Sequence, residues 1–299
     1  MDDLRKQLTQ PSPESHQEWT GRIISSLAII LIGGLVVAIL VFLTIKGIAL
    51  FTDNGVSVWR FLTQTDWQPG HQHYGALPMI VTSFSVTILA GIVALPLALV
   101  VAVAITEILP QKMTGLVQPL IELLVGVPSV VYGYLGLTII VPELQHLFGG
   151  TGFGILAATG VLFLMILPTM TSMTVDSLNA VPKQYRQASA GLGATRWQTI
   201  SHVIVPSARD GILTAAVFGM ARAFGEALAV QMVIGNTAVM PKGLVESSAT
   251  LTSVLTTGIG NSVMGTADNN ALWSLALILL IMSLVFNLLI HLVSKKGAA

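Results

Sequence analysis

A chain of 299 residues that is 53% hydrophobic, 9% charged and formally neutral has neither the balance of a soluble domain nor the charge of a nucleic-acid binder. Its mean hydropathy of +0.80 comes from apolar runs long enough to cross a bilayer, which takes about 20 residues at ~1.5 Å rise each. With no cysteine, disulfides and thiolate metal sites are excluded, while the compartment stays open.

In chain order, residues 1–22 are polar and of mixed charge, with Pro11 and Pro13, and read as a tail. The run 23–45 is too long for the apolar core of a signal peptide and lacks a small-x-small cleavage site, so it reads as an uncleaved first span. Segment 46–76 carries Trp59, Phe61 and Trp67, which suits a helix lying at the headgroup level. Its His71 and His73 form a His-x-His pair with no Asp, Glu or Cys placed to complete a metal set, so a solvated loop is the expectation.

Five more spans follow at about 77–106, 116–140, 153–175, 207–235 and 270–293. Pro96 and Pro168 read as helix kinks. Glu107 leaves the second span and reads as solvated. The third span carries Gly126-Val127-Pro128-Ser129, then Tyr132, Gly133, Tyr134 and Gly136. Two readings stand: a broken segment lining a path, with Ser129 and freed backbone groups available to an anion, or a kink with close glycine packing. Glu122 either joins a buried polar network or faces water. The stretch 141–152 reads as a short turn; its glycine run lacks the Gly-Lys-Ser/Thr ending of a phosphate-cradling loop. Segment 236–269, rich in Ser, Thr, Gly and Asn, reads as a solvated loop or as part of a docking surface.

The expected fold is therefore all-α and membrane-embedded with six spans, divided as tail 1–22, first span and interfacial segment 23–76, core 77–294 and tail 295–299. Lys and Arg set its orientation. Ten of them (Arg5, Lys6, Arg22, Lys112, Lys183, Arg186, Arg196, Arg209, Lys295 and Lys296) fall on one side, and Lys46, Arg60 and Lys242 on the other. That bias puts both termini and the loop 176–206 in the cytoplasm. Apart from Arg209 at the edge of the fifth span, Arg222 alone lies within a span, four residues before Glu226, so an unbroken helix would carry both on one face. An arginine at mid-membrane costs about 2.5–3.5 kcal/mol on insertion scales, so it needs a partner or a watery cavity.

The loop has a pattern of its own. Gln187-Ala188-Ser189 is followed at fixed spacing by Gly193, then by Val203, Val205 and Pro206. This resembles the EAA loop of bacterial ABC importer permeases: Glu-Ala-Ala, three residues, Gly, nine residues, Ile-x-Leu-Pro. Gln187 and Ser189 depart from it. YGALPMIVTSFSVTILA (74–90), IELLVGVPSVVYGYLGL (121–137) and ARAFGEALAVQMVIGNT (221–237) are similar, in order, to phosphate-importer permeases of the PstC type.

The resemblance implies a type I ABC importer permease in a bacterial inner membrane, with no ATPase motif or cofactor of its own. Its partners would be a PstA-type sibling in a heterodimer, a cytoplasmic ATPase dimer holding Mg-ATP, and an extracytoplasmic phosphate-binding protein. The ATPase would dock through Arg186, Gln187, Ala188, Ser189, Gly193 and Pro206. The substrate path would involve Arg222, Glu226, Ser129 and Glu122, with Arg222 attracting the oxyanion through its planar fork of donors. Glu226 would hold the Arg222 rotamer, carry a proton from the substrate, or gate the path. Alternatives are a permease for sulfate or molybdate and a secondary transporter or channel; no inverted repeat supports the latter. A membrane-embedded enzyme lacks a nucleophile–base or clustered His/Asp/Glu set in the spans.

Overall fold

The computed structural model describes residues 13–296; the stretch before Pro13, with Pro11, and residues 297–299 lie outside the described residues, with the tail readings placed on them. Helix α1 (Pro13–Thr52) is 40 residues long and overruns the expected span at both ends. Its apolar side chains from Ile23 to Val41 are exposed, as lipid contact requires. Only its last turns pack, against α14 (Ala267–Lys296). Gly47 makes that contact possible: a Cβ there would lie 2.5 Å from Leu277 Cβ. Ser274 Oγ donates to the Gly47 carbonyl across the same seam at 2.7 Å.

Between α1 and the core lies a small cap, made of α2 (Val58–Thr63) and a hairpin of β1 (Trp67–Gln68) and β2 (His73–Tyr74). A hairpin this short has no stability of its own. Aromatic side chains hold it: Phe61 meets Phe51 and Trp67 edge-on, and Trp67 meets Tyr74. Phe61 is therefore buried, and Trp67 is turned into the cluster rather than toward lipid; of the expected interfacial aromatics only Trp59 is exposed.

Tyr74 also ties the cap to α14, its hydroxyl donating to Asp268 Oδ1 at 2.8 Å. Burial, then the hydrogen bond to Asp268 and its charge, push the Tyr74 hydroxyl from 10.0 up to about 12. The folded state thus holds this proton more tightly, and stability falls as pH rises through that window. Each pH unit costs on the order of 1.4 kcal/mol where only the unfolded hydroxyl ionises. Thermal unfolding in detergent should fall more steeply between pH 10 and 12 for the wild type than for Tyr74→Phe; parallel curves would remove the link.

The core is built on α3 (Leu77–Val103), α7 (Ile155–Asn179) and α11 (Arg209–Phe224). Ala90, Ala94, Ala98 and Ala102 recur every fourth residue on α3 and are fully buried, so its backbone approaches α7 closely. Gly91 and Gly219 do the same for α11, against Met220 and Met170 respectively.

Among the described residues, four helices are long and apolar enough to cross a membrane, and two bent pairs bring the total to six if each pair is one span. The third span, expected to break or kink near Pro128, is one of these pairs. It is α4 (Gln111–Val125), a break, then α5 (Ser129–Leu135) running through a π-turn into α6 (Val141–Phe148), with a bend of 94°. The expected turn at 141–152 is thus largely helix. Pro128, which has no N–H and disfavours helical backbone at Val127, explains the break.

The fifth span is likewise not one helix. Short helices α9 (Arg196–Thr199) and α10 (Val205–Ser207), joined by a π-turn, meet α11 at a 65° bend. Past α11 the chain breaks at Gly225-Glu226-Ala227 and resumes as α12 (Leu228–Val233). Segment 236–269 is no plain solvated loop, because it contains α13 (Leu251–Ile259), anchored by buried Ala249 and Leu251.

Candidate functional site: a pair of broken helices and an inward-facing arginine

The short helices that follow the two breaks pack against each other. A Cβ on Gly133 of α5 would lie 2.8 Å from Ala229 Cα of α12, and one on Gly136 would run into Val161 and Val233. Tyr132 spans the first break, donating to the Leu124 carbonyl at 2.8 Å. Thr252 of α13 spans the second, donating to the Glu226 carbonyl at 2.8 Å. Freed backbone groups at membrane depth are thus met by side chains, as a bilayer demands.

Arg222 lies in the last turn of α11, just before the second break. Its guanidinium donates to Thr169 Oγ1 of α7 at 2.8 Å and lies within electrostatic reach of Tyr132. It makes no ion pair: among the described residues the only ion pairs join His73 to Asp66 and Arg186 to Glu107. The expected clasp between Arg222 and Glu226 is therefore absent. The helix that would put both on one face ends at Phe224, and Glu226 Oε1 instead accepts the Ala229 N–H at 3.1 Å. A carboxylate in that place suits the positive end of α12.

Ser129 begins α5, half-buried beside the break. Glu122 does not join Arg222; it is exposed on α4 and accepts from Gln118 at 3.3 Å. Sequence reasoning missed Thr169 and Thr252, whose partners lie far along the chain; only Pro168, next to Thr169, marked the spot. A cavity of 840 Å³ beside the hairpin, lined in part by Arg60, Asp66, His73 and Tyr74, shares no residue with this cluster. There His73 Nδ1 pairs with Asp66, so a carboxylate does stand beside the His-x-His motif; no group of three or more metal-ligating residues occurs among the described residues.

The second element is α8 (Lys183–Gly191). It ends in a Schellman motif: Ala194 N–H bonds to the Ser189 carbonyl, and Gly193 N–H to the Ala190 carbonyl. Gly193 has φ +79° with open space around it, so backbone conformation, not room, calls for glycine. Thr195 and Gln198 then cap α9 reciprocally.

The expected docking residues divide. Gln187 and Ala188 are exposed, with Leu192 (90% exposed) and Trp197 (67%) beside them. Ser189 turns inward, its hydroxyl 2.9 Å from that of Thr199. Arg186 also turns inward, onto Glu107, Val181 and Leu178. Glu107 is therefore not solvated as its position suggested. Pro206 is exposed in α10, next to the 65° bend.

Residues 94–297 match the family described as binding-protein-dependent transport system inner membrane component. A probable ABC transporter permease protein, YqgH of Bacillus subtilis, is 49% identical over 93% of this chain and 91% of its own. The phosphate transport system permease protein PstC of Mesorhizobium japonicum is 30% identical (87% and 89% covered), and that of Pasteurella multocida 32% (80% and 81%). Among solved structures, a chain of a bacterial ABC transporter involved in alginate import aligns with a TM-score of 0.63 at 14% identity, covering 94% of this chain and 99% of that one. A chain of the inward-facing MetNI methionine transporter gives 0.57 at 17%, covering 78% and 99%. The fold is that of type I ABC importer permeases.

Proposed function

The chain belongs to the family of binding-protein-dependent transport system inner membrane components, and on that premise we propose that this ABC importer permease carries inorganic phosphate. The observation that carries the reading is Arg222, held by the neutral hydroxyl of Thr169 on α7, within electrostatic reach of Tyr132, and paired with no carboxylate among the described residues. An arginine with donors to spare in a low-dielectric setting favours a tetrahedral oxyanion. The PstC proteins among its relatives support phosphate over other anions.

Glu226, turned to the Ala229 amide, shapes the break behind Arg222 instead of neutralising it. A carboxylate committed to that amide leaves the charge of Arg222 available to an anion. Ser129 offers its hydroxyl from the opposite break. Sulfate and molybdate share the shape of phosphate, and competition between the three distinguishes them.

The partners in this reading are a PstA-type sibling permease, an ATPase dimer with its Mg-ATP, and an external phosphate-binding protein. The excess of Lys and Arg puts α8 on the cytoplasmic side, where its exposed Gln187, Ala188 and Leu192 meet the ATPase. ATP binding closes the ATPase dimer and moves α8. The paired permeases then open outward to the loaded binding protein, and hydrolysis resets them. This chain contributes the path and the docking helix, not a catalytic residue. The test is ATP hydrolysis by the complex in nanodiscs: phosphate-loaded binding protein should stimulate it several-fold over the unloaded protein, and equal rates would reject the assignment.

A further inference from the structure

We propose that Arg186 and Glu107 form a strut that makes α8 a rigid lever on the membrane core, so that Glu107 is a positioning residue for energy coupling. The inference rests on the reading of α8 as the ATPase-docking helix. Covalently, α8 is joined to α7 only through Ala180-Val181-Pro182, a link about which it could swivel.

One guanidinium opposes that swivel. Arg186 donates to the Leu178 carbonyl at 3.1 Å, in the last turn of α7, and to the Val181 carbonyl at 2.7 Å, in the link itself. At the end of α7 the helix dipole favours a cation, and Arg186 adds to the long 3.4 Å bond from the Val181 N–H to the Leu178 carbonyl. It also donates to Glu107 Oε1 at 2.8 Å. Glu107 sits in the π-turn Ala104–Ile108, where α3 ends. The end of α7, the start of α8 and, 79 residues away in sequence, the end of α3 thus meet at one planar group.

The side chains of Arg186 and Glu107 are only 26% and 13% exposed. They lie beside the apolar cluster of Ile105, Leu178, Val181 and Ile200. Shielding from water strengthens the pair, and either member left alone there is unfavourable. Lysine could not replace the arginine, since it lacks the fork that meets carboxylate and carbonyls together. Arg186 itself is thereby withdrawn from the docking surface. It acts through α3 and α7, the helices whose alignment sets Thr169 and hence Arg222.

The experiment uses the full complex with its sibling permease and ATPase. Glu107→Gln should cut ATP-driven phosphate uptake at least about tenfold and abolish stimulation by the loaded binding protein. ATPase co-purification and basal hydrolysis should stay as in the wild type. Arg186→Gln should lower uptake equally, with the double variant no worse than either single, as expected for one shared interaction. Losses that multiply, or normal uptake by Glu107→Gln, would overturn the strut. Should Glu107→Gln fail to assemble, Glu107→Asp, which keeps the charge and shortens the reach, serves instead. It should lose part of the stimulation; full stimulation would count against the strut.

A second readout does not depend on substrate. The chain has no cysteine, so spin labels can be placed through Ile92→Cys on α3 and Ala190→Cys on α8. The distance distribution should be narrow with Glu107 present and broad in Glu107→Gln; equal widths would refute the lever. If the wild-type complex takes up no phosphate, the proposed function fails, and the spin-label comparison still decides the strut.

Discussion

Replacement of Arg222 by glutamine is expected to lower phosphate uptake by about 10- to 100-fold while the complex still assembles. The magnitude follows from losing a charge-assisted hydrogen bond to the anion, roughly 1.5–3 kcal/mol. Assembly should survive because glutamine still reaches for Thr169, the only hydrogen-bond partner of the Arg222 side chain among the described residues, and no ion pair among them is broken. Arg222→Lys restores the charge without the fork and should recover only part of the activity. Initial rates of labelled phosphate uptake, normalised to purified complex, decide it. Wild-type rates for Arg222→Gln would take this residue off the path.

Replacement of Gly193 by valine should detach the ATPase. The φ of +79° at this position costs an L-residue roughly 1–2 kcal/mol, and a β-branched side chain fits that region worst. The Schellman bonds that close α8 would open, and with them the spacing between exposed Leu192 and the capping turn at Thr195. Co-purification of the ATPase should fall by about tenfold for ~1.4 kcal/mol. Gly193→Asn should bind nearly as well as wild type, since asparagine tolerates the left-handed region. Equal retention by Gly193→Val and the wild type would mean that the cap geometry has no part in docking.

Much of this was legible because membrane spans announce themselves by length and hydropathy. The runs behind α1, α3, α7 and α14 are of that kind. The break at 126–128 was legible too, because proline removes a hydrogen bond wherever it sits. The break at 225–227 was not. Gly225 alone costs a helix only about 1 kcal/mol, too little to stop one. The observed end is held by tertiary contacts, Thr252 on the Glu226 carbonyl and Gly133 against Ala229. That hidden break is why the Arg222–Glu226 pairing, sound for a continuous helix, does not form.

Glu107 was misread for a related reason. Its place at the end of an apolar run suggests water, and its partner lies 79 residues on. Periodicity reports local geometry and is silent on such closures. The aromatic cap erred in the same direction. Phe61 and Trp67 fit an interfacial belt by composition, yet they pack on Phe51 and Tyr74, because a two-residue hairpin needs a cluster to exist at all.

The most direct measurement is ATP-driven uptake into proteoliposomes carrying this chain, its sibling permease and the ATPase, with the external binding protein supplied. Labelled phosphate is the substrate, and sulfate and molybdate are the competitors. The account predicts uptake that requires ATP and is unaffected by either competitor. Uptake without ATP, or preference for sulfate or molybdate, would contradict it.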